Sequence, residues 1–353
     1  MPPRHVTRPV FFRGGSSHAI QSARPHRPPG LGTLPRHHDL RRSGWHLETD
    51  RRPRAGERGW SGPCRPGDRL NVVPADLTAD AGWDAAAEGV RYVLHVASPV
   101  LVRAPKDPDE LIGPARDGAA RVMRAAIRAG AERVVMTSSV AAASRRVGGP
   151  DCECDETVWT DPDAPGVDAY TRSKTIAERT AWEIIGAEGG ATTLAVVNPS
   201  VILGPVLGRD FSPSIGLVQR LLAGKVPGLP CLGFDFVDVR DLADLHLRAM
   251  TSPAAAGRRF IGAGEFAWIA DIAGILKARL GLEAAKVPTR ALPDFVLRLV
   301  GLFDRDLGAM NGYLGHRYTY SSAKAQSVLG WKARSLEETI ADCARSLIAV
   351  GAV

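Results

Sequence analysis

From residue 70 onward, apolar positions recur with two periods that alternate in a regular order. Leu70 to Val73 and Arg91 to Val96 are short, mainly β-branched runs that predict strands, and Pro74-Ala75-Asp76-Leu77 ends the first. Residues 78–90 predict a short helix around Trp83 to Glu88. Gly118 to Gly130 predicts an amphipathic helix: Ala119, Val122, Met123, Ala126 and Ile127 share a stripe, Arg121, Arg124 and Arg128 face water, and Gly130 is placed to cap it. A strand over Arg133 to Ser139, a helix from near Ala169 through Ile185 and a strand over Thr193 to Val197 follow. This order predicts an α/β protein with a doubly wound parallel sheet and right-handed crossovers. Farther on, the pattern predicts a helix over Ile215 to Ala223, extended chain over Phe234 to Val239, and a helix over Arg240 to Met250 capped by Asp238. The tail predicts a strand over Arg259 to Ile261 and helices near Ile269 to Leu280, Pro293 to Leu302 and Leu336 to Val350. The long loop from Ala143 to Asp168, rich in Gly, Pro and Asp, is expected to border a site.

Residues 1–69 break this pattern. They hold 14 Arg, no Lys, 10 Pro, nine Gly and six of the nine His, with apolar periodicity at neither 2 nor 3.6. Such a segment is expected to be disordered, because it buries too little surface to offset the entropy of ordering it. Their five acidic residues leave a net charge of +9, whereas the remainder of the chain is at −2, so the overall +7 resides in this one stretch. That distribution argues against nucleic acid as a partner of the folded part. Five cysteines at 64, 152, 154, 231 and 343 make neither a disulfide framework nor a spaced metal site. With no apolar run near the ~20 residues of a membrane span and no signal-peptide core at Met1 to Phe12, a cytoplasmic location is expected, without membrane association.

Candidate chemistry centres on Tyr170-Thr171-Arg172-Ser173-Lys174. Residues four apart on a helix stand one turn above each other on the same face. A cationic Lys174 near the Tyr170 phenol is expected to favour the phenolate and make Tyr170 an acid or base near neutral pH. Ser139 ends an apolar strand, and open α/β sheets bind ligands at the carboxyl ends of their strands. Tyr320-Ser-Ser-Ala-Lys324 repeats the spacing, but too little chain follows it to complete another sheet unit.

From Asn71 onward the chain resembles the extended short-chain dehydrogenase/reductase superfamily, and within it the dihydroflavonol-reductase-like group. The resemblance lies in Val72-Val73-Pro74-Ala75-Asp76-Leu77, His95-Val96-Ala97-Ser98-Pro99, Val134 to Val140, Asp155-Glu156-Thr157-Val158-Trp159-Thr160, Tyr170-x-x-x-Lys174 with Ala177-Glu178, Asn198-Pro199-Ser200 with Leu203-Gly204-Pro205, and Val237-Asp238-Val239-Arg240-Asp241. It implies a Rossmann-type cofactor domain with a smaller C-terminal substrate domain. The activity it implies is reduction of an aldehyde or ketone by NADPH, with NAD as the other candidate cofactor. Tyr170 would donate the proton, Lys174 would hold the nicotinamide ribose and depress the Tyr170 pKa, and Ser139 would hydrogen-bond the developing alkoxide. Asp76 and Leu77 would lie beside the adenine, Val96, Ala97 and Ser98 along the cofactor, and Pro199, Ser200 and Val201 at the nicotinamide. No metal is implied. A small carbonyl compound is the expected partner and a homodimer the default assembly.

The family opens with a strand, a Gly-x-x-Gly-x-x-Gly turn and a helix whose N-terminus holds the pyrophosphate. Residues 1–69 show no such unit, although their length suits one; Gly14-Gly15-Ser16-Ser17 and Gly30-Leu31-Gly32 neither follow a strand nor open a helix. The expectation is that residues 1–68 are an out-of-frame translation of that unit, and reading the coding DNA in the other two frames tests it. A genuine basic arm would instead bind nucleic acid in a salt-sensitive way. The expected organisation is then an atypical segment over 1–68, a cofactor domain over 69–203 to which 234–250 returns, and a substrate domain over 204–233 and 251–353. A nucleotide-sugar epimerase or dehydratase, and a cofactor-deficient sensor or scaffold, are the alternative functions.

Overall fold

The computed structural model describes residues 73–99, 105, 107–145, 148–302, 308 and 310–353. The expectations for residues 1–68 lie outside the described residues, as do Leu70 to Val72 of the first expected strand; Val73 is irregular. In chain order the elements are α1 (Trp83–Ala87), β1 (Tyr92–His95), α2 (Asp109–Arg128), β2 (Arg133–Thr137), β3 (Cys152–Cys154), α3 (Ala169–Glu188), β4 (Thr193–Pro199) and β5 (Val201–Leu203). There follow α4 (Ile215–Leu222), β6 (Gly233–Asp238), α5 (Val239–Thr251), β7 (Arg258–Gly262), β8 (Phe266–Trp268), α6 (Ile269–Leu280), α7 (Asp294–Val300), β9 (Tyr318–Tyr320), α8 (Ala323–Leu329) and α9 (Leu336–Ala349).

β1, β2, β4 and β7 form a parallel sheet in that order, with Tyr92 opposite Arg133, Arg133 opposite Thr193 and Ala195 opposite Arg258. Leu194 to Val197 are wholly buried, as a parallel strand covered on both faces must be. Side chains alternate between two cores. Val134, Met136, Leu194 and Val196 pack with Val122, Met123, Ala126, Ala177 and Ala181 of α2 and α3. Val135, Ala195, Val197 and Phe260 pack with Leu242 and Leu245 of α5 and with Trp331 after α8. A one-residue slip in any strand would exchange the two sets, so the pattern fixes the register.

The helices begin where the sequence supplies caps. The Asp168 carboxylate accepts from Thr171 N at 2.8 Å to open α3, and Asp238 accepts from Arg240 N at 2.8 Å to open α5. Arg133 projects from β2 to donate to Ala249 O (3.1 Å) and Ser252 O at the end of α5, placing a cation at the negative pole of that helix. α2 starts at Asp109, nine residues before the expected Gly118, and runs through Pro114, which has no N–H to donate to the Glu110 carbonyl.

A second core gathers α4, α6 and α9 around Leu203, Phe236, Ala267 and Ile272. Its sheet pairs β5 with β6 in parallel and β6 with β8 antiparallel. The expected division at 251 does not follow this sheet structure. β7 extends the main sheet and Trp331 belongs to its core, whereas β6 pairs in the second sheet while its Val237, with α5, packs into the core of the first. The loop expected over Ala143 to Asp168 contains β3, which pairs in parallel with β9.

Candidate active site

Three of the expected residues stand at the carboxyl end of the main sheet. Ser139 follows β2 and is buried; its Oγ accepts from Ala141 N at 3.1 Å, which starts a short 3-10 turn over Val140–Ala143. Tyr170 lies in the first turn of α3 and keeps 38% of its surface open. Lys174, one turn on, is 6% exposed, with Nζ 5.8 Å from the Tyr170 ring centre. The Ser139 hydroxyl is near enough to the Tyr170 phenol to favour its ionised form.

The direction of the Tyr170 pKa corrects the expectation from helical spacing. Burial raises it above the ordinary phenol value, the Ser139 hydroxyl lowers it in part, and the Asp168 charge raises it further. The phenol therefore keeps its proton at neutral pH. Burial is also the larger influence on Lys174, whose ammonium is pushed down to about 8 while the Glu178 charge opposes the fall.

The remaining expected residues divide by place. Val96 is 59% exposed at the end of β1, followed by buried Ala97 and half-buried Ser98. Pro199, Ser200 and Val201 continue from the end of β4, where Ser200 N donates to Gly262 O at 3.1 Å and Val201 turns toward the second core. Parallel pairing puts these strand ends on the same edge of the sheet as Ser139. Asp76 accepts from Thr78 N and Oγ1, both at 2.8 Å, and Leu77 is buried against Gly118 of α2. The competing pair separates: Tyr320 lies on β9 with its hydroxyl 2.6 Å from Ser144 Oγ, while Lys324 sits on α8 over the Phe260 ring.

Two further groups belong to the site edge. His95 closes β1, is 4% exposed, and its Nδ1 has no partner among the described residues. Burial and the nearby Lys174 charge push its pKa down to about 4, so the ring is neutral. Asn198 closes β4 fully buried; its Nδ2 donates to Ser139 O (3.1 Å) and Glu178 Oε2 (2.8 Å), while Oδ1 has no partner among the described residues. Unpaired polar atoms in such positions are costly unless a ligand meets them. Both residues fell inside motifs in the sequence, but nothing local marked their burial. The charged Lys174 and the open Val96 rim suit the nicotinamide half of a dinucleotide, whereas the orphaned atoms of His95 and Asn198 are sealed beneath the surface. For the pyrophosphate half, Gly56-Glu57-Arg58-Gly59-Trp60-Ser61-Gly62 carries the glycine spacing, a match that the reading by strand and helix context missed. It is followed by Pro63 rather than by a helical pattern, and it lies outside the described residues.

A second buried carboxyl bears on stability. Asp235 on β6 is 3% exposed and accepts from Tyr320 N at 2.6 Å. Burial pushes its pKa up to about 7, although that hydrogen bond and Arg317 oppose the rise. A carboxyl that binds its proton more tightly folded than unfolded adds stability below its unfolded value, which is lost as pH rises through about 7. Asp235→Asn is expected to gain stability relative to the parent between pH 4 and pH 8, on the order of 2–3 kcal/mol. Urea midpoints of both proteins across that range check this; a constant difference would refute it.

The family model for the NAD dependent epimerase/dehydratase family matches residues 41–261. Tetraketide alpha-pyrone reductase 1 of Arabidopsis thaliana is 30% identical over 289 residues, covering 80% of this chain and 81% of that protein. Cinnamoyl-CoA reductase 1 of the same plant is 36% identical over 194 residues, 54% of this chain, and the match spans only about half of the relative's length, 55%. Among solved structures, yeast methylglyoxal/isovaleraldehyde reductase Gre2 complexed with NADPH superposes with a TM-score of 0.62 at 26% identity, covering 78% of this chain and 81% of that one. The parallel sheet is thus of the Rossmann type seen in such reductases. With the family model extending over more than half of its length, the chain belongs to the NAD dependent epimerase/dehydratase family.

Proposed function

We propose that this chain is an NADPH-dependent reductase of a small or aromatic aldehyde or ketone. The observation that carries the reading is the meeting of Ser139, Tyr170 and Lys174 at the carboxyl edge of the sheet. Lys174 would hold the ribose next to the nicotinamide, and Pro199 to Val201 and Val96 to Ser98 would flank the cofactor. Bound there, reduced nicotinamide supplies the hydride taken up by the carbonyl carbon. Tyr170, which as a phenol carries its proton at neutral pH, gives that proton to the carbonyl oxygen. Ser139 holds the phenol in line and donates to the oxygen as negative charge grows on it. The proton thus comes from the protein and the alcohol leaves neutral. The carbonyl reductases among the relatives and solved structures support the reaction class, and the NADPH bound in the yeast structure supports the cofactor. A cytoplasmic location and a homodimer complete the reading; among the described residues no helix is long and apolar enough to cross a membrane.

NADPH oxidation followed against a panel of aldehydes and ketones tests it. Turnover with a carbonyl substrate is expected. Turnover confined to a nucleotide sugar would refute the reading in favour of an epimerase or dehydratase. Absence of any thermal shift with NADPH would favour a cofactor-deficient protein.

A further inference from the structure

Beneath the site lies an ion pair that the reaction does not consume. Glu178 on α3 is wholly buried and Arg259 on β7 is 6% exposed; Arg259 Nε donates to Glu178 Oε1 at 2.6 Å. Neither group faces only the other. Glu178 Oε2 accepts from Ser138 Oγ at 2.6 Å and from Asn198 Nδ2 at 2.8 Å, and that same Asn198 amide donates to the carbonyl of Ser139. The carboxylate thereby fixes both sides of the chain that presents Ser139. The guanidinium donates to the carbonyls of Ala142 (3.1 Å), Glu156 (3.0 Å) and Val158 (2.8 Å), and the Trp159 ring lies 3.8 Å from its carbon. It thus clamps the end of the Ser139 turn to the Asp155–Thr160 motif.

We infer that Glu178 and Arg259 are a positioning pair for the reduction proposed above, holding the Ser139 turn and the 155–160 segment in register with Tyr170. The geometry argues this more strongly than it argues simple stability. A buried ion pair stabilises a fold little compared with apolar residues of the same volume. Here the Glu178 carboxylate is held by the side chains of Ser138 and Asn198 beside Ser139, and by Trp182 Nε1 at 3.3 Å, while the Arg259 guanidinium is directed to backbone carbonyls of the Ser139 turn and of the 155–160 segment. Glu178 also shares a helix with Tyr170, so moving the carboxylate moves the helix that carries the phenol.

Two variants and two readouts test the pair. Arg259→Lys keeps the charge but cannot make the four-way donation. Ser138→Ala removes one donor to Glu178 and leaves the ion pair whole. Both are expected to lower kcat for carbonyl reduction, Arg259→Lys by about 10–100-fold and Ser138→Ala by roughly 3–10-fold, with the carbonyl KM within about twofold of the parent. The second readout is independent of turnover: NMR titration of ring-labelled tyrosine, with Tyr170 assigned by Tyr170→Phe. Slackening of the Ser139 turn draws its hydroxyl away from the phenol that it helps to ionise, so the Tyr170 pKa is expected to rise in both variants. If Arg259→Lys does not fold, Ser138→Ala decides. Parental kcat and an unmoved Tyr170 titration in a folded variant would overturn the inference. Loss of carbonyl turnover in the parent itself would instead refute the reductase reading, while the titration still decides the positioning role.

Discussion

Tyr170→Phe is expected to lower kcat for carbonyl reduction by about 10²–10⁴, the range for loss of a positioned proton donor. It should leave the fold and the NADPH-induced thermal shift in place. The substitution removes one oxygen from a residue that keeps 38% of its surface open, so it creates no core cavity. It also removes the phenol oxygen near Ser139, but the Ser139 side chain keeps its bond from Ala141 N and therefore stays seated. Steady-state rates with a carbonyl substrate, alongside melting curves with and without NADPH, check the prediction. A variant that retains a tenth of the parental kcat would exclude Tyr170 as the donor.

Lys174→Met is expected to lower kcat/KM by about 10²–10³, as loss of one fixed donor at a charge-developing site does, and to weaken NADPH binding. Its pH profile is the sharper readout. In the parent, the Lys174 ammonium is held down to about 8, so activity should decline on the alkaline side with an apparent pKa near that value. The sign follows from the charge: below about 8 the group is cationic and can donate to hydroxyls, and above it the group is neutral. Lys174→Met should lose that limb. Lys174→Arg retains a cation to far higher pH and should push the limb upward, at reduced rate, because a planar fork does not reproduce the position of an ammonium. An alkaline limb unchanged in both variants would assign it to another group.

The sequence made the alternation of strands and helices legible because the main sheet is buried on both faces. Val134, Met136, Leu194 and Val196 must be apolar for one core and Val135, Ala195 and Val197 for the other, so the runs stand out. The Ser139, Tyr170 and Lys174 candidates were legible from local order: a strand end and a helical turn. Electrostatics were not. Spacing put a cation near Tyr170 but could not register the burial that raises its pKa. Nor could local pattern find β3 and β9, three-residue strands more than 160 positions apart. Glu178 and Arg259 are 81 positions apart, each beside another charged residue, Arg179 and Arg258, and nothing local marks which of them is buried. A charge in a strand or helix reads as solvated until the partner that buries it is known.

α3 carries the phenol at one end and, eight residues or about 12 Å along its axis, the carboxylate anchored through Arg259. Such a strut divides what evolution can revise from what it must keep. The unit built around α4 and α6 has a core of its own apart from α3, so under the proposed reductase reading its side chains can change without moving the strut. The Tyr170 hydroxyl, the proposed proton donor, meanwhile stays where it was. New substrate preferences should therefore arise, in the laboratory or in nature, by rewriting that unit while the helix is left alone.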